Sequence, residues 1–309
     1  DEICCDFAKL LSDFMLSKNP TLIESLNFLK KKIDNIYELN PSKQILFTKN
    51  IIHIQFLLFC DEHPEEDIAV LLASCETILN ENNNEPQKNS WRTFVDFLHF
   101  EYYLSTKKIK QAELYYNKLI PSFQALMLHN YMGCVNSFFE SAFYFCRANN
   151  FSDKLQIDVS AVLLDQADIN SAINYNYYTA LIAFHAGDTK KGRTILLKTV
   201  NDYSMVNFLR AEIEIKLTLC YFLLLEKEFD MADDYLRKII RKVKSLPSNQ
   251  FSHIEYIGKF FDLSINKEPN TKTDLKKKEM FTLFMASNNG HKQVLRPLIP
   301  ILIEKHGLA

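Results

Sequence analysis

A small residue returns at a fixed place in a repeated helix–turn–helix pattern, and that return limits what this chain can fold into. Three copies read clearly: Lys107-Lys108-Ile109-Lys110-Gln111-Ala112, Gly187-Asp188-Thr189-Lys190-Lys191-Gly192 and Lys227-Glu228-Phe229-Asp230-Met231-Ala232. Ala112, Gly192 and Ala232 stand 80 and 40 residues apart. A fixed period of roughly 20–50 residues marks a solenoid, in which each unit buries its apolar face only against its neighbours. That architecture builds a long surface rather than a catalytic pocket, so the expected function is binding, foremost of another protein.

Composition agrees with helices. Six glycines and nine prolines in 309 residues are too few for an all-β chain with many tight turns, and 47% apolar residues are ample for burial. The formal charge of -2 predicts no sequence-independent grip on phosphate backbones, so no direct nucleic-acid contact is expected. Lys30-Lys31-Lys32 and Lys276-Lys277-Lys278 read as solvated helix faces. The seven cysteines are scattered among Phe, Leu and Ile with no C-x-x-C pair, which favours a reducing compartment; the expected location is cytoplasmic. No apolar run has the length of a membrane span, and Asp1-Glu2 is unlike the basic start of a signal peptide. The chain opens without methionine and is expected to be an excised piece of a longer protein.

The apolar periodicity predicts about six hairpins. The first runs through Phe7 to Phe14, turns at Asn19-Pro20 and continues from Leu22 to Ile33. The second follows Asn40-Pro41, crosses Ile51 to Phe59, turns at His63-Pro64 and resumes from Ile68 to Leu79. Asn80 to Ser90 reads as a polar loop, because its asparagines compete for backbone hydrogen bonds. The remaining hairpins span about Trp91–Leu119, Leu126–Asp165, Ile169–Tyr203 and Met205–Leu246. Beyond Pro247 come a helix over Ile254–Ile265, a polar connection over Lys267–Asp274, a helix over Leu275–Ala286 and a tail broken by Pro297 and Pro300. The expected blocks are therefore 1–80, 91–246 and a closing segment 247–309, forming one continuous superhelix.

At this point the chain resembles a divergent tetratricopeptide-repeat protein. That family carries a small residue midway along helix A, a Gly-Asp-type turn with an aromatic, and an alanine in helix B. The sixth hairpin has Cys220, Phe229 and Ala232 at these places, followed by Leu236 and Ile239. The fifth has Ala180, Gly187-Asp188, Gly192 and Leu196, with Thr189 replacing the aromatic. The third has Ile109, Ala112, Tyr116 and Leu119, but the bulky Phe100 takes the small helix-A place. The markers Ser25, Ala69, Ala112, Lys154, Gly192 and Ala232 are separated by 44, 43, 42, 38 and 40 residues, longer than the 34 of a regular repeat. The stretch Tyr175–Ile265 also resembles uncharacterised bacterial all-helical proteins built of degenerate repeats. The resemblance implies an all-α, right-handed α-solenoid of about six hairpins with an atypical C-terminal cap.

No sequence pattern points to catalysis. Cys60-Asp61-Glu62-His63-Pro64-Glu65-Glu66-Asp67 contains metal-ligand types at a spacing that fits no familiar zinc or calcium site, and acidic residues after Pro64 suit a helix N-terminus. Neither a G-x-S-x-G, an H-E-x-x-H nor a Gly-rich phosphate loop occurs. The expectation is therefore no enzyme, no metal and no cofactor. Clustered aromatics at helical spacing read mostly as core, with a minority on the helix-A face where such repeats receive peptides. By position in the repeat, the candidate partner-binding residues are Asn136, Phe139, Phe143, Arg147, Asn174, Tyr177, His185 and Tyr221. Two functions remain open from sequence. One is a protein- or peptide-binding scaffold using a concave face. The other is the ligand-sensing half of a transcriptional or signalling regulator whose N-terminal domain lies outside this chain.

Overall fold

The computed structural model describes residues 22–59, 65–82, 84–122, 134–149, 169–205, 208–246, 251–266, 270–288 and 294–308. Among the described residues there are thirteen α-helices and no strand, as an all-α reading requires. In order they are α1 (Leu22–Leu39), α2 (Lys43–Phe59), α3 (Glu65–Glu81), α4 (Glu85–Ser105), α5 (Ile109–Leu119), α6 (Cys134–Ala148) and α7 (Ile169–His185). They continue as α8 (Thr189–Asp202), α9 (Leu209–Leu225), α10 (Phe229–Lys244), α11 (Ile254–Asn266), α12 (Thr271–Ser287) and α13 (Ile299–His306). Among the described residues no helix is long and apolar enough to cross a membrane.

The chain divides into two compact units, one running to Ala172 and the other from Ile173, a division that falls inside the expected 91–246 block. In the first unit each helix from α1 to α6 packs on the next, and α2 also meets α4 and α4 meets α6. In the second unit α8 through α12 pack in succession, and α9 also meets α11. Helices that touch both their chain neighbours and the next-but-one helix are surrounded on several sides. That is why α9 is buried at Ala211 through Ile215 and again at Leu217 through Leu223, whereas α10 buries only the stripe Ala232, Leu236, Ile239 and Val243.

Three hairpins close with the same turn. In α4–α5 the amide of Lys108 reaches the Tyr103 carbonyl (2.8 Å) and that of Lys107 reaches Leu104 (3.1 Å). Asp188 and Gly187 make the same pair of bonds to Ala183 and Phe184, and Glu228 and Lys227 to Leu223 and Leu224. This is the double bond of a Schellman turn, whose central residue must be left-handed. Lys107, Gly187 and Lys227 indeed have φ of 58°, 86° and 63°. The next helix then starts at once, and its fourth residue is Ala112, Gly192 or Ala232.

Those small residues stand at helix crossings. A Cβ on Gly192 would sit 2.7 Å from the Ala180 carbonyl oxygen and 3.1 Å from Phe222 Cε2, so only glycine allows this approach of α7 and α8. The buried stripes below them correspond: Ala112, Tyr116, Leu119; Gly192, Leu196, Thr199; Ala232, Leu236, Ile239. Phe100 occupies the place of Ala180 and Cys220, and its ring lies 5.6, 5.9 and 5.6 Å from those of Tyr116, Phe138 and Phe145. A ring there fills the junction of α4, α5 and α6.

Some expected boundaries shift, for local reasons. The polar loop over Asn80–Ser90 is shorter, since α3 runs to Glu81 and α4 starts at Glu85. Pro86 fits that first turn, where its missing N–H has no intrahelical partner. Helix α12 begins at Thr271 rather than Leu275, because the Asn270 side chain caps the Thr273 amide at 2.9 Å. Ala69 is exposed and marks no crossing. The expected helix Phe7–Phe14, the turns Asn19-Pro20 and His63-Pro64, the side chain of Ser25 and the marker Lys154 lie outside the described residues. At the C-terminus, the Asn288 amide clamps Val294 by bonds of 2.8 and 2.9 Å to its N–H and carbonyl. The neighbouring Leu295 amide donates to Glu214 on α9 at 3.0 Å.

Candidate functional site

The helix-A residues singled out from sequence are mostly packed. Phe139 and Phe143 on α6 are buried, Arg147 in its last turn is half-buried, and the Asn136 side chain lies outside the described residues. In the second unit Asn174, Tyr177 and Tyr221 are buried and His185 is half-buried. The Tyr177 hydroxyl lies 3.3 Å from Thr218 Oγ1, linking α7 to α9. Tyr221 packs at 6.3 Å from Phe184, 6.2 Å from Phe261 and 6.0 Å from His306, and Phe184 also meets His185 edge-on at 5.7 Å. The structure thus gathers Tyr221 and His185 around Phe184, and gives Phe139, Tyr177 and Tyr221 work inside the fold. A tyrosine looks like a surface residue in sequence, but in a helix enclosed on several sides its ring fills volume, and at Tyr177 the hydroxyl also meets Thr218 of a neighbouring helix.

A different set of polar residues converges in the first unit. Arg92, Asp96, His99 and Tyr103 are spaced four, three and four apart, which puts them on one stripe of α4. Glu76 reaches the stripe from α3, and Tyr115 and Lys118 from α5. Arg92 Nη1 donates to both Glu76 oxygens at 2.7 and 2.6 Å. His99 Nε2 lies 3.2 Å from Glu76 Oε1, and the imidazole stacks on Tyr115 at 4.6 Å and 15°. Tyr103 completes the stack, 5.9 Å from His99 and 5.7 Å from Tyr115. The Lys118 ammonium sits 4.3 Å over the Tyr115 ring. Asp96 and His99 are buried, and among the described residues Asp96 Oδ1 and His99 Nδ1 have no hydrogen-bond partner.

Burial sets the charge states. It pushes the His99 pKa down, against the pull of Glu76, and pushes Asp96 up, against Lys118 and Arg92. Burial, with the charges of Tyr103, Glu76 and Asp96, raises Tyr115 to about 12, so its phenol stays protonated near neutral pH. Two carboxylates face two fixed cations beside a neutral imidazole. Such a set can exchange hydrogen bonds and ring contacts with an incoming polar group. The signal that could have revealed it is the polar stripe at helical spacing within an aromatic-rich helix. A smaller tie of the same kind joins α1 to α2, where Asp34 lies 3.0 Å from both Lys49 and His53.

The buried thiols are inert. Cys75, Cys146 and Cys220 are free and buried, and burial lifts each to about 12. Among the described residues no group of three His, Cys, Asp or Glu side chains could hold a metal ion. The run Cys60–Pro64 lies outside the described residues. The chain matches no protein-family model, no curated protein and no solved structure.

Proposed function

We propose that this chain is a protein- or peptide-binding scaffold, a right-handed tetratricopeptide-like array of about six hairpins closed by its C-terminal segment. The observation that carries the reading is the threefold recurrence of one hairpin, with a left-handed residue at 107, 187 and 227 and a buried small residue five positions later. Repeated units of this kind present side chains of successive helices side by side, so one extended ligand can touch several at once. In the first unit Arg92 and Tyr103 on the α4 stripe, Tyr115 on α5 and Arg147 on α6 are at least partly accessible. Tyrosine and arginine are the types most enriched among binding anchors.

The test begins with affinity capture on the immobilised chain, followed by purification of the captured protein and measurement of its Kd. Arg92→Ala and Arg147→Ala are expected each to weaken that complex, the pair by about ten-fold or more, since anchor truncations commonly exceed about 1 kcal/mol. Far-ultraviolet circular dichroism should stay unchanged. A purified partner whose affinity is the same for both variants, or the lack of any saturable partner, would rule the reading out.

A further inference from the structure

The C-terminal helices of the second unit frame a partly open feature unrelated to the α4 stripe. Phe260 of α11, Asp274, Lys277 and Lys278 of α12, and His306, Gly307 and Leu308 at the end of α13 line a cavity of about 240 Å³. That volume lies below the ~300–1,000 Å³ usual for drug-sized ligands, so it suits an ion or a very compact molecule. We propose that this cavity binds a small oxyanion of sulfate or phosphate size through Lys277, Lys278 and His306.

The main support is the state of Lys277. Although it belongs to a run of three lysines, its side chain is turned inward and only 16% exposed. Among the described residues its ammonium has one carboxylate within 4.0 Å, that of Asp274, at a distance beyond hydrogen-bond reach. A half-buried ammonium that is only loosely paired can take an anion in the adjoining cavity, which supplies both charge and acceptors. Lys278, itself exposed, adds a second cation to the lining, against the single carboxylate of Asp274, which is 61% exposed. The net charge of the lining therefore favours an anion.

His306 is held in place for the same task. Its ring meets Phe260 edge-on at 5.3 Å and packs 6.0 Å from Tyr221. Burial, then the charge of Lys277, hold its pKa below the usual histidine range, and Asp274 opposes them. An anion between the two groups cancels the repulsion, so binding should draw a proton onto His306. In the lining Gly307 ends α13 in the left-handed conformation, and a Cβ there would meet nothing within 4 Å.

The experiment is calorimetric titration of the full chain with sodium sulfate and inorganic phosphate at constant ionic strength, with sodium chloride as the blank. A single saturable site is expected in the parent chain. Lys277→Gln should weaken it ten-fold or more, while Lys276→Gln, one residue away on an exposed face, should leave it unchanged. Sulfate, which does not titrate near neutrality, should be bound with uptake of a fraction of a proton, read from the heat in two buffers of different ionisation enthalpy. Glycerol phosphate as a second probe separates sources: binding equal to phosphate means that the mouth admits a phosphomonoester, and weaker binding assigns the site to the free ion. Absence of saturable binding, or equal affinity in Lys277→Gln and the parent, would overturn the proposal. Thermal melts of each variant confirm that any loss is not unfolding.

Discussion

Gly192→Ala is the sharpest test of the helix-crossing argument, because the structure fixes both terms of its effect. In an unconstrained helix, alanine is better than glycine by about 1 kcal/mol. Here the new Cβ would lie 2.7 Å from the Ala180 carbonyl oxygen and 3.1 Å from Phe222 Cε2. Comfortable carbon contacts begin near ~3.5 Å, so α7 and α8 must separate by roughly half an ångström or more. Overpacking of that kind costs about 1–3 kcal/mol, and the obstacle is backbone, which cannot rotate away. A backbone obstacle puts the cost at the upper end, about 2–3 kcal/mol, so after the propensity gain of about 1 the net expectation is destabilisation by about 1–2 kcal/mol, or a Tm lower by several degrees. Gly258→Ala is the matched control. Its Cβ would overlap Ile240 Cδ1 more closely still, but that atom ends a flexible, half-buried side chain. Its net effect should stay within about 1 kcal/mol of the parent. Circular dichroism melts of the three proteins decide the matter. A Gly192→Ala chain as stable as the parent would refute the crossing.

Other outcomes follow from the same geometry. Lys227→Gly should stabilise the chain by up to about 1 kcal/mol and Gly187→Ala should destabilise it by about 1–2, since both positions are left-handed; chemical denaturation reads both. Asn288→Ala removes both bonds to the Val294 backbone and leaves buried groups unpaired, so it should cost about 2–3 kcal/mol and raise amide exchange at Val294 and Leu295. Acid should weaken the fold. His53 and His99 sit below the usual histidine range, first through burial, so the unfolded chain binds protons that the folded chain refuses. Their contribution, full above about pH 6.5, is lost as pH falls toward the folded-state values, with a slope of at most about 1.4 kcal/mol per pH unit for each. Asp96, raised by burial, acts oppositely at lower pH. Denaturation midpoints for His99→Asn should therefore depend less steeply on pH between 7 and 5.5 than those of the parent.

The repeat was legible because its marker is tied to a backbone constraint. A left-handed turn residue fixes where the second helix begins, and five residues later that helix crosses its partner, so the small residue cannot drift. The long period has a plain cause: a 17-residue α7, a three-residue turn, a 14-residue α8 and a six-residue connection separate the starts of α7 and α9 by 40. Ala69 misled because a small residue is informative only at a crossing, and sequence spacing alone does not say which side of α3 it faces. The α4 stripe escaped notice for a related reason. Arg92, Asp96, His99 and Tyr103 look like isolated polar residues until α3 brings Glu76 and α5 brings Tyr115 against them. Lys277 was read as solvated with its two neighbours, and only the fold turns it inward.

Phe100 shows how one turn geometry accommodates different cores, and it supports a last prediction. The equivalent places in the later hairpins hold Ala180 and Cys220, both fully buried, so bulk is not required by the turn. At Phe100 the volume is claimed by the rings of Tyr116, Phe138 and Phe145, all within 6 Å and all essentially inaccessible. Those partners come from α5 and α6, so the ring joins three helices rather than two. Phe100→Ala should therefore leave a cavity that none of the three can collapse into alone, with a cost of about 3–5 kcal/mol. Near-ultraviolet circular dichroism should lose aromatic intensity, because the remaining rings gain freedom, while the far-ultraviolet signal of the helices persists at low temperature. Ala180→Gly, at the matching place, removes one methyl group and should cost about 1 kcal/mol. If the two substitutions proved equal, the aromatic junction would not be a shared core, and the match between the third hairpin and the later ones would end at the turn.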